Sequence, residues 1–270
     1  MFVSALIGGL CAFLSAYLML KGWSLIGDAL SHSIVPGVAG AFIIGLPFSV
    51  GAFFAGGLAA LTMLFLSNHT KLKEDTIIGL ILTSFFGLGL FMISLFPMSV
   101  DIQAIVMGNI LAITPTDKLQ LLIIIIISFP FLILKWKDIM VTFFDEKHAK
   151  TVGINVDIIK VLFFIILSAS SVAALQTVGA FLVIAMLVTP GATAYLLTDR
   201  FKTLLILSVT IGSVTSFIGA YLSFFINGAT GGLIVSLQTV IFLIVFFVAP
   251  KHGYLVKKLR VLGNRGIDDV

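Results

Sequence analysis

Long apolar runs follow one another along most of the chain and limit what it can fold into. Each is close to the roughly 20 residues that an α-helix needs to cross a bilayer. The runs cover approximately residues 2–20, 24–45, 50–66, 76–96, 117–135, 157–176, 179–197, 203–226 and 230–249. Only 10% of the residues are charged, whereas soluble domains carry about 25%. The pattern predicts an all-α integral membrane protein, a polytopic bundle of about eight or nine transmembrane helices.

The charges between the runs predict how the helices are oriented. Basic residues concentrate at Lys21, 71–73, 135–160, 200–202 and 251–260. The connections between them are uncharged or, after Pro97, carry only Asp101. Because basic connections stay in the cytoplasm, nine spans give an external N-terminus and a cytoplasmic C-terminus. The run 179–197, rich in Gly, Pro and Thr, could instead form two half-helices and leave eight full spans.

We therefore expect a single transmembrane domain over residues 1–270, embedded in the lipid bilayer of the inner (plasma) membrane. The net charge of +4 does not indicate a nucleic-acid partner, because the lysines and arginines lie at the ends of apolar runs. The chain contains no H-E-x-x-H, G-x-S-x-G or P-loop pattern, so no enzyme motif is present. Its single cysteine, Cys11, cannot build a thiolate metal site.

Two ionisable side chains lie inside the second apolar run. Asp28 and His32 are four residues apart, so they share a face of a helix. Pro36 cannot donate a hydrogen bond to the carbonyl of residue 32, which predicts a break in the helix. Counted from Lys21, Asp28 lies roughly 10 Å and His32 roughly 16 Å into a hydrocarbon layer about 30 Å thick. Such groups mark a binding site or a polar contact between helices.

A carboxylate and an imidazole together form a ligand set that suits Mn²⁺, Fe²⁺ and Zn²⁺. Two ligands are too few, because zinc alone takes about four. A homodimer in which the pair faces its symmetry mate would supply two Asp and two His side chains. The alternatives are that Asp28 and His32 only bond each other or a neighbouring helix, or that they form a proton relay in an ion-gradient-driven transporter.

The charged connection at about 136–157 is predicted to contain a short helix. Asp145 and Glu146 suit the positive end of a helix dipole, and Gly153 suits a C-terminal stop. Since so short a helix is marginal in water, it is either part of a solvated loop or a docking helix for a cytoplasmic partner. Elsewhere, Asp75 or Thr76 is predicted to cap a helix without any ligand role.

Four segments resemble the permease subunits of manganese, zinc and iron ABC importers. In chain order they are Lys21–Leu25 followed by Gly27–His32, then Glu74–Gly79, Gly108–Ala112 and Leu182–Pro190. The resemblance covers nearly the whole chain, and the D-A-L-S-H and L-V-x-A-M-L-V-T-P segments are the most specific.

The resemblance implies the fold of a type II ABC importer permease. It implies a dimer of permeases, separate cytoplasmic ATPase subunits and an extracytoplasmic metal-binding protein as partners, and no permanently bound cofactor. The chain would not be an enzyme, and its cargo would be manganese first, or iron or zinc. The intramembrane metal-contacting pair maps onto Asp28 and His32. The ATPase-coupling helix maps onto the segment with Asp145, Glu146, Ala149 and Gly153.

Overall fold

A computed structural model describes residues 1–23, 25–96, 115–226 and 228–249, and all regular secondary structure in these ranges is helical. Asp101, the segment Gly108–Ala112 and the basic tail 251–260 lie outside the described residues. The helices are α1 (Phe2–Lys21), α2 (Ile26–Ser33), α3 (Val35–Ile44), α4 (Phe48–His69), α5 (Glu74–Leu95), α6 (Pro115–Phe144), α7 (Glu146–Thr151), α8 (Val156–Val178), α9 (Ala180–Leu197), α10 (Phe201–Ile226) and α11 (Thr230–Val248).

The predicted number of spans agrees with the helices. Within the described ranges, 8 helices are long and apolar enough to cross a membrane, α2 and α3 counting together as one, and a shorter apolar helix runs over Leu182–Leu197. The alternative of two half-helices at 179–197 is wrong, because α9 is one helix that contains Pro190. The interrupted helix is instead the second run, which breaks at Ile34 between α2 and α3.

The connection predicted at about 136–157 is shorter than expected. Helix α6 continues through Trp136 and Lys137 and ends at Phe144. No glycine or proline lies between Phe131 and Phe144, and Lys135 bonds Asp138 one turn later at 2.8 Å. The sequence prediction failed here because charges mark where an apolar run ends, not where a helix ends.

The helices group into two compact units, one made of residues 1–19 with those from 185 onward, the other of residues 20–184. In the first unit, small residues bring α1 and α10 together. The Ser208 hydroxyl donates to the Ala12 carbonyl at 2.6 Å, and a Cβ on Gly212 would lie 2.6 Å from the Gly8 carbonyl oxygen. Small residues at helix interfaces allow such close approach in membrane proteins.

Within the second unit, α3 packs closely against α4 and α5 at glycine residues. Gly37 of α3 and Gly51 of α4 lie so close that a Cβ on either would collide with the carbonyl oxygen of the other. On α5, a Cβ at Gly89 would come within 2.9 Å of the Pro36 nitrogen. These contacts hold the part of the chain that follows the helix break in place.

Replacing Gly51 by Ala should therefore destabilise the protein. Because the Cβ meets backbone, the neighbouring helix must shift, and overpacking of this kind costs about 1–3 kcal/mol. Thermal unfolding in detergent should show a lower Tm. Gly57→Ala on the same helix is the matched control, since its Cβ meets nothing within 4 Å; equal Tm values for the two variants would contradict this packing.

Candidate functional site

Asp28 and His32 lie together on one side of α2, as their spacing predicts. The Asp28 Oδ1 atom is 3.3 Å from the His32 Nε2 atom, and the two side chains are 32% and 31% exposed. The opposite side of the helix is buried, with Ile26 and Leu30 at 2% and 1% exposure. Helix α2 therefore presents an acid–imidazole pair on its open side and an apolar surface to the unit.

The His32 ring is held from two sides. Besides its contact with Asp28, it lies edge-on to the Phe86 ring of α5, with centroids 5.2 Å apart. The Ser31 hydroxyl donates within the helix to the Gly27 carbonyl at 2.8 Å, so this neighbouring hydroxyl is already engaged. The imidazole orientation is thus set by a carboxylate and by an aromatic edge from another helix.

The predicted proline break is confirmed one residue after α2 ends. Ile34 separates the two helices, and its N–H donates to the His32 carbonyl. Pro36 occupies the first turn of α3, where its missing N–H is tolerated. Val38 resumes regular bonding to the Ile34 carbonyl at 3.0 Å. The break lies directly beside His32. Helices with such breaks are found at ion sites in membrane proteins.

The pair alone cannot complete a coordination shell. Among the residues that the structure describes, no three His, Cys, Asp or Glu side chains come close enough to share a metal ion. A divalent transition metal takes about four to six ligands. Any ion at Asp28 and His32 therefore needs further ligands from water, backbone or a second chain, and the exposed third of each side chain leaves room for them.

The short helix predicted around Asp145 is confirmed as α7. Asp145 caps it by accepting a hydrogen bond from the His148 N–H at 2.9 Å. At the other end, the Gly153 N–H bonds the Lys150 carbonyl at 3.1 Å and the Ile154 N–H bonds the Ala149 carbonyl at 3.0 Å. This is a Schellman motif, and Gly153 adopts φ +84°, a conformation that favours glycine.

Helix α7 is seated on the unit by one side. Ala149 is 0% exposed, so this side chain faces the protein and anchors the helix. Glu146 forms an ion pair with Lys160 of α8. The side chains of Lys147, His148 and Lys150 are exposed. A capped six-residue helix with one buried side and one charged, exposed side is a surface suited to docking.

The prediction that Asp75 or Thr76 caps the start of α5 is wrong. Lys73 precedes the helix without a side-chain cap bond, and Glu74 and Asp75 lie in its first turn. Glu74 instead accepts a hydrogen bond from the Trp23 indole N–H, and its carboxylate lies 3.9 Å from Lys21. Sequence analysis assigned no role to Trp23, Glu74 or Lys160, although all three lie at the charged ends of apolar runs and the first two lie in segments that resemble the permeases.

Comparison with known proteins identifies the family of this chain. The ABC 3 transport family matches residues 1–249. The chain is 61% identical to the "Chelated iron transport system membrane protein YfeC" of Yersinia pestis, over 96% of this chain and 88% of that protein. It is 43% identical to the "Manganese transport system membrane protein MntB" of Synechocystis, over 96% of this chain and 84% of that protein.

A solved structure, PsaBC from Streptococcus pneumoniae in complex with Fab, shares the fold. Its matching chain is 38% identical, the TM-score is 0.81, and the match covers 95% of this chain and 93% of that one. With a helical membrane fold, a family match over most of its length and relatives that cover nearly all of it, the chain belongs to the ABC 3 transport family of membrane permeases.

Proposed function

We propose that this chain is the transmembrane subunit of an ATP-driven importer of divalent transition-metal ions. Two protomers, most simply two copies of this chain, would form the path in the inner (plasma) membrane. A separate cytoplasmic ABC ATPase would bind each protomer, and an extracytoplasmic protein would deliver the ion. ATP hydrolysis would then belong to the separate subunit, and the ion would be cargo, not a resident cofactor.

The observation that carries the proposal is the Asp28–His32 pair on the open side of α2. A carboxylate inside a membrane helix is costly, by about 2.5–3.5 kcal/mol or more at the helix centre, so such groups face partners or water-filled paths. The pair supplies one hard oxygen ligand and one borderline nitrogen ligand, the mixture that Mn²⁺ and Fe²⁺ accept. Exposure of 32% and 31% means that an ion could reach both groups.

A dimer completes the site by symmetry. When the α2 helices of two protomers face each other, two carboxylates and two imidazoles surround one point near the shared axis. These four groups would replace part of the hydration shell of the ion, and water or backbone carbonyls would fill the remaining positions. Alternating access then requires only that the two α2 helices part first on one side of the membrane and then on the other.

The names of the relatives point to iron and manganese as the cargo. The relative with 61% identity is named for chelated iron and the one with 43% identity for manganese. A carboxylate–imidazole pair serves both bare ions. Transport of an iron chelate is the second candidate, favoured only by the name of the first relative, because a larger ligand needs more convergent polar groups than this pair supplies.

Helix α7 would be the contact with the ATPase. Its capped ends fix its shape, buried Ala149 fixes its position, and the exposed Asp145, Lys147 and Lys150 offer charges to a partner. The glycine at 153 allows the chain to turn back into α8 immediately after the helix. By the distribution of basic residues, this end of the bundle is cytoplasmic, and the external loops, including the Asp101 region outside the described residues, would receive the delivery protein.

Uptake into vesicles containing the permease with its ATPase should require internal ATP and survive an uncoupler. Unlabelled Mn²⁺, Fe²⁺ and Zn²⁺, and chelated iron, should be offered in competition against labelled Mn²⁺. We expect Mn²⁺ and Fe²⁺ to compete best. Uptake that persists without ATP but collapses with an uncoupler would instead identify the gradient-driven transporter with an Asp28–His32 proton relay.

Replacing Asp28 by Asn should reduce uptake by at least about tenfold, because the amide lacks the charge that a divalent ion requires and ligand changes cost this much affinity or more. Assembly with the ATPase should remain normal in gel filtration. Asp75→Asn is the matched control, since Asp75 is an exposed carboxylate at the start of α5. Wild-type uptake by Asp28→Asn would exclude the proposed site.

Replacing Gly153 by Val should weaken association with the ATPase subunit. A β-branched residue at φ +84° is strained by about 1–3 kcal/mol, so the end of α7 must rearrange. Gly153→Asn, which tolerates the left-handed conformation, should retain most of the binding in co-purification. Normal co-purification of the Val variant would count against α7 as the docking helix.

A further inference from the structure

A network of side chains connects α7 with the start of α2. We propose that Lys160 and Trp23 are positioning residues that link the ATPase-facing helix to the helix carrying Asp28 and His32. The proposal rests on the proposed function, because it assigns a path by which movement of α7 would reach the metal pair. Its parts are an ion pair, an aromatic cluster and a hydrogen bond, all within residues 20–184.

The first connection joins α7 to α8. Lys160 is 7% exposed, and lysines are buried to this extent almost only when paired. Its ammonium group forms an ion pair with Glu146, which begins α7. Since Ala149 of the same short helix is also buried, α7 is held at two points one turn apart. Displacement of α7 must therefore either carry Lys160 along or break the pair.

The second connection joins α8 to Trp23. Phe164 lies one helical turn after Lys160, on the same face of α8, and its ring centroid is 5.4 Å from that of Trp23. Trp23 also lies edge-on to Phe143 at 5.4 Å, and Phe143 is the second residue before the Asp145 cap. The indole is thus in contact with both chain segments that flank α7.

The third connection joins Trp23 to the metal-binding helix. Trp23 is 7% exposed and lies three residues before the first residue of α2 and five before Asp28. Its indole N–H donates to Glu74 at the start of α5, and α5 also carries Phe86, which contacts the His32 ring. Trp23 therefore fixes the entrance of α2 and contacts the base of the helix that orients His32.

A cavity beside this network gives it room to change arrangement. Its volume is about 350 Å³, and its lining includes Lys21, Glu74, Glu146 and Lys160 together with Trp23 and Phe164. Close-packed interiors do not deform continuously, so a second arrangement of the ion pairs needs such space. The cavity wall carries Lys160 together with both carboxylates of the network, Glu146 on α7 and Glu74 on α5.

The test uses the complete transporter with its ATPase, reconstituted in vesicles, and measures ions imported per ATP hydrolysed. Lys160→Met should keep ATPase association and basal hydrolysis, while the ratio falls by about tenfold, the size of coupling carried by such contacts. The double variant Lys160→Glu with Glu146→Lys should recover most of the ratio. Trp23→Phe, which keeps a ring but loses the bond to Glu74, should lower it less than Trp23→Ala.

Lys135→Met is the matched control, because Lys135 pairs with Asp138 within a single helix and is 49% exposed; its ratio should equal the wild type. A wild-type ratio in both Lys160→Met and Trp23→Ala would overturn the proposal, as would failure of the charge exchange to restore coupling. If the Lys160→Met variant does not assemble with the ATPase, the ratios of ions imported per ATP hydrolysed in Trp23→Phe and Trp23→Ala test the proposal instead. Absence of ATP-driven uptake in the unaltered transporter would instead refute the proposed function itself.

Discussion

The contact between Asp28 and His32 is the interaction on which the functional interpretation of the structure depends. Two ionisable groups on one face of an otherwise apolar helix are unfavourable in hydrocarbon, and their mutual contact at 3.3 Å relieves only part of that cost. Their number is too small to hold a divalent ion. Both facts agree with the proposal that the pair is half of a metal site and that a second copy of the chain would supply the other half.

The surrounding helices hold the Asp28–His32 pair in position by backbone contact as much as by side chains. The break at Ile34 lies beside His32, and the segment after it is fixed by the Gly37–Gly51 crossing and by Gly89. Before α2, Trp23 fixes the chain through Glu74 and two phenylalanine rings. The Asp28–His32 pair therefore lies on a short helix restrained at both ends, and the restraint at its start connects through Phe143 and Phe164 to the helices on either side of α7.

Sequence reasoning reached the helices, the Asp28–His32 face and α7 because each has a local cause. Apolar runs of membrane length specify spans, a four-residue spacing specifies a face, and Asp145 with Gly153 specifies both ends of a short helix. It failed where the cause is tertiary. The pairing of Glu74 with Trp23 and of Lys160 with Glu146 joins residues distant in sequence. Sequence reasoning also failed at two helix boundaries, because the charges at Lys135 do not end α6 and Pro190 does not end α9.

We propose that two protomers share one ion between their Asp28 and His32 side chains. Mn²⁺ bound to the purified transporter can be examined by pulsed EPR, which detects imidazole nitrogen bound to the ion. We predict one Mn²⁺ for every two permease chains, with coupling to two equivalent imidazole nitrogens that disappears when His32 is replaced by Ala. Mn²⁺ that shows no nitrogen coupling, or coupling that survives the loss of His32, would contradict it.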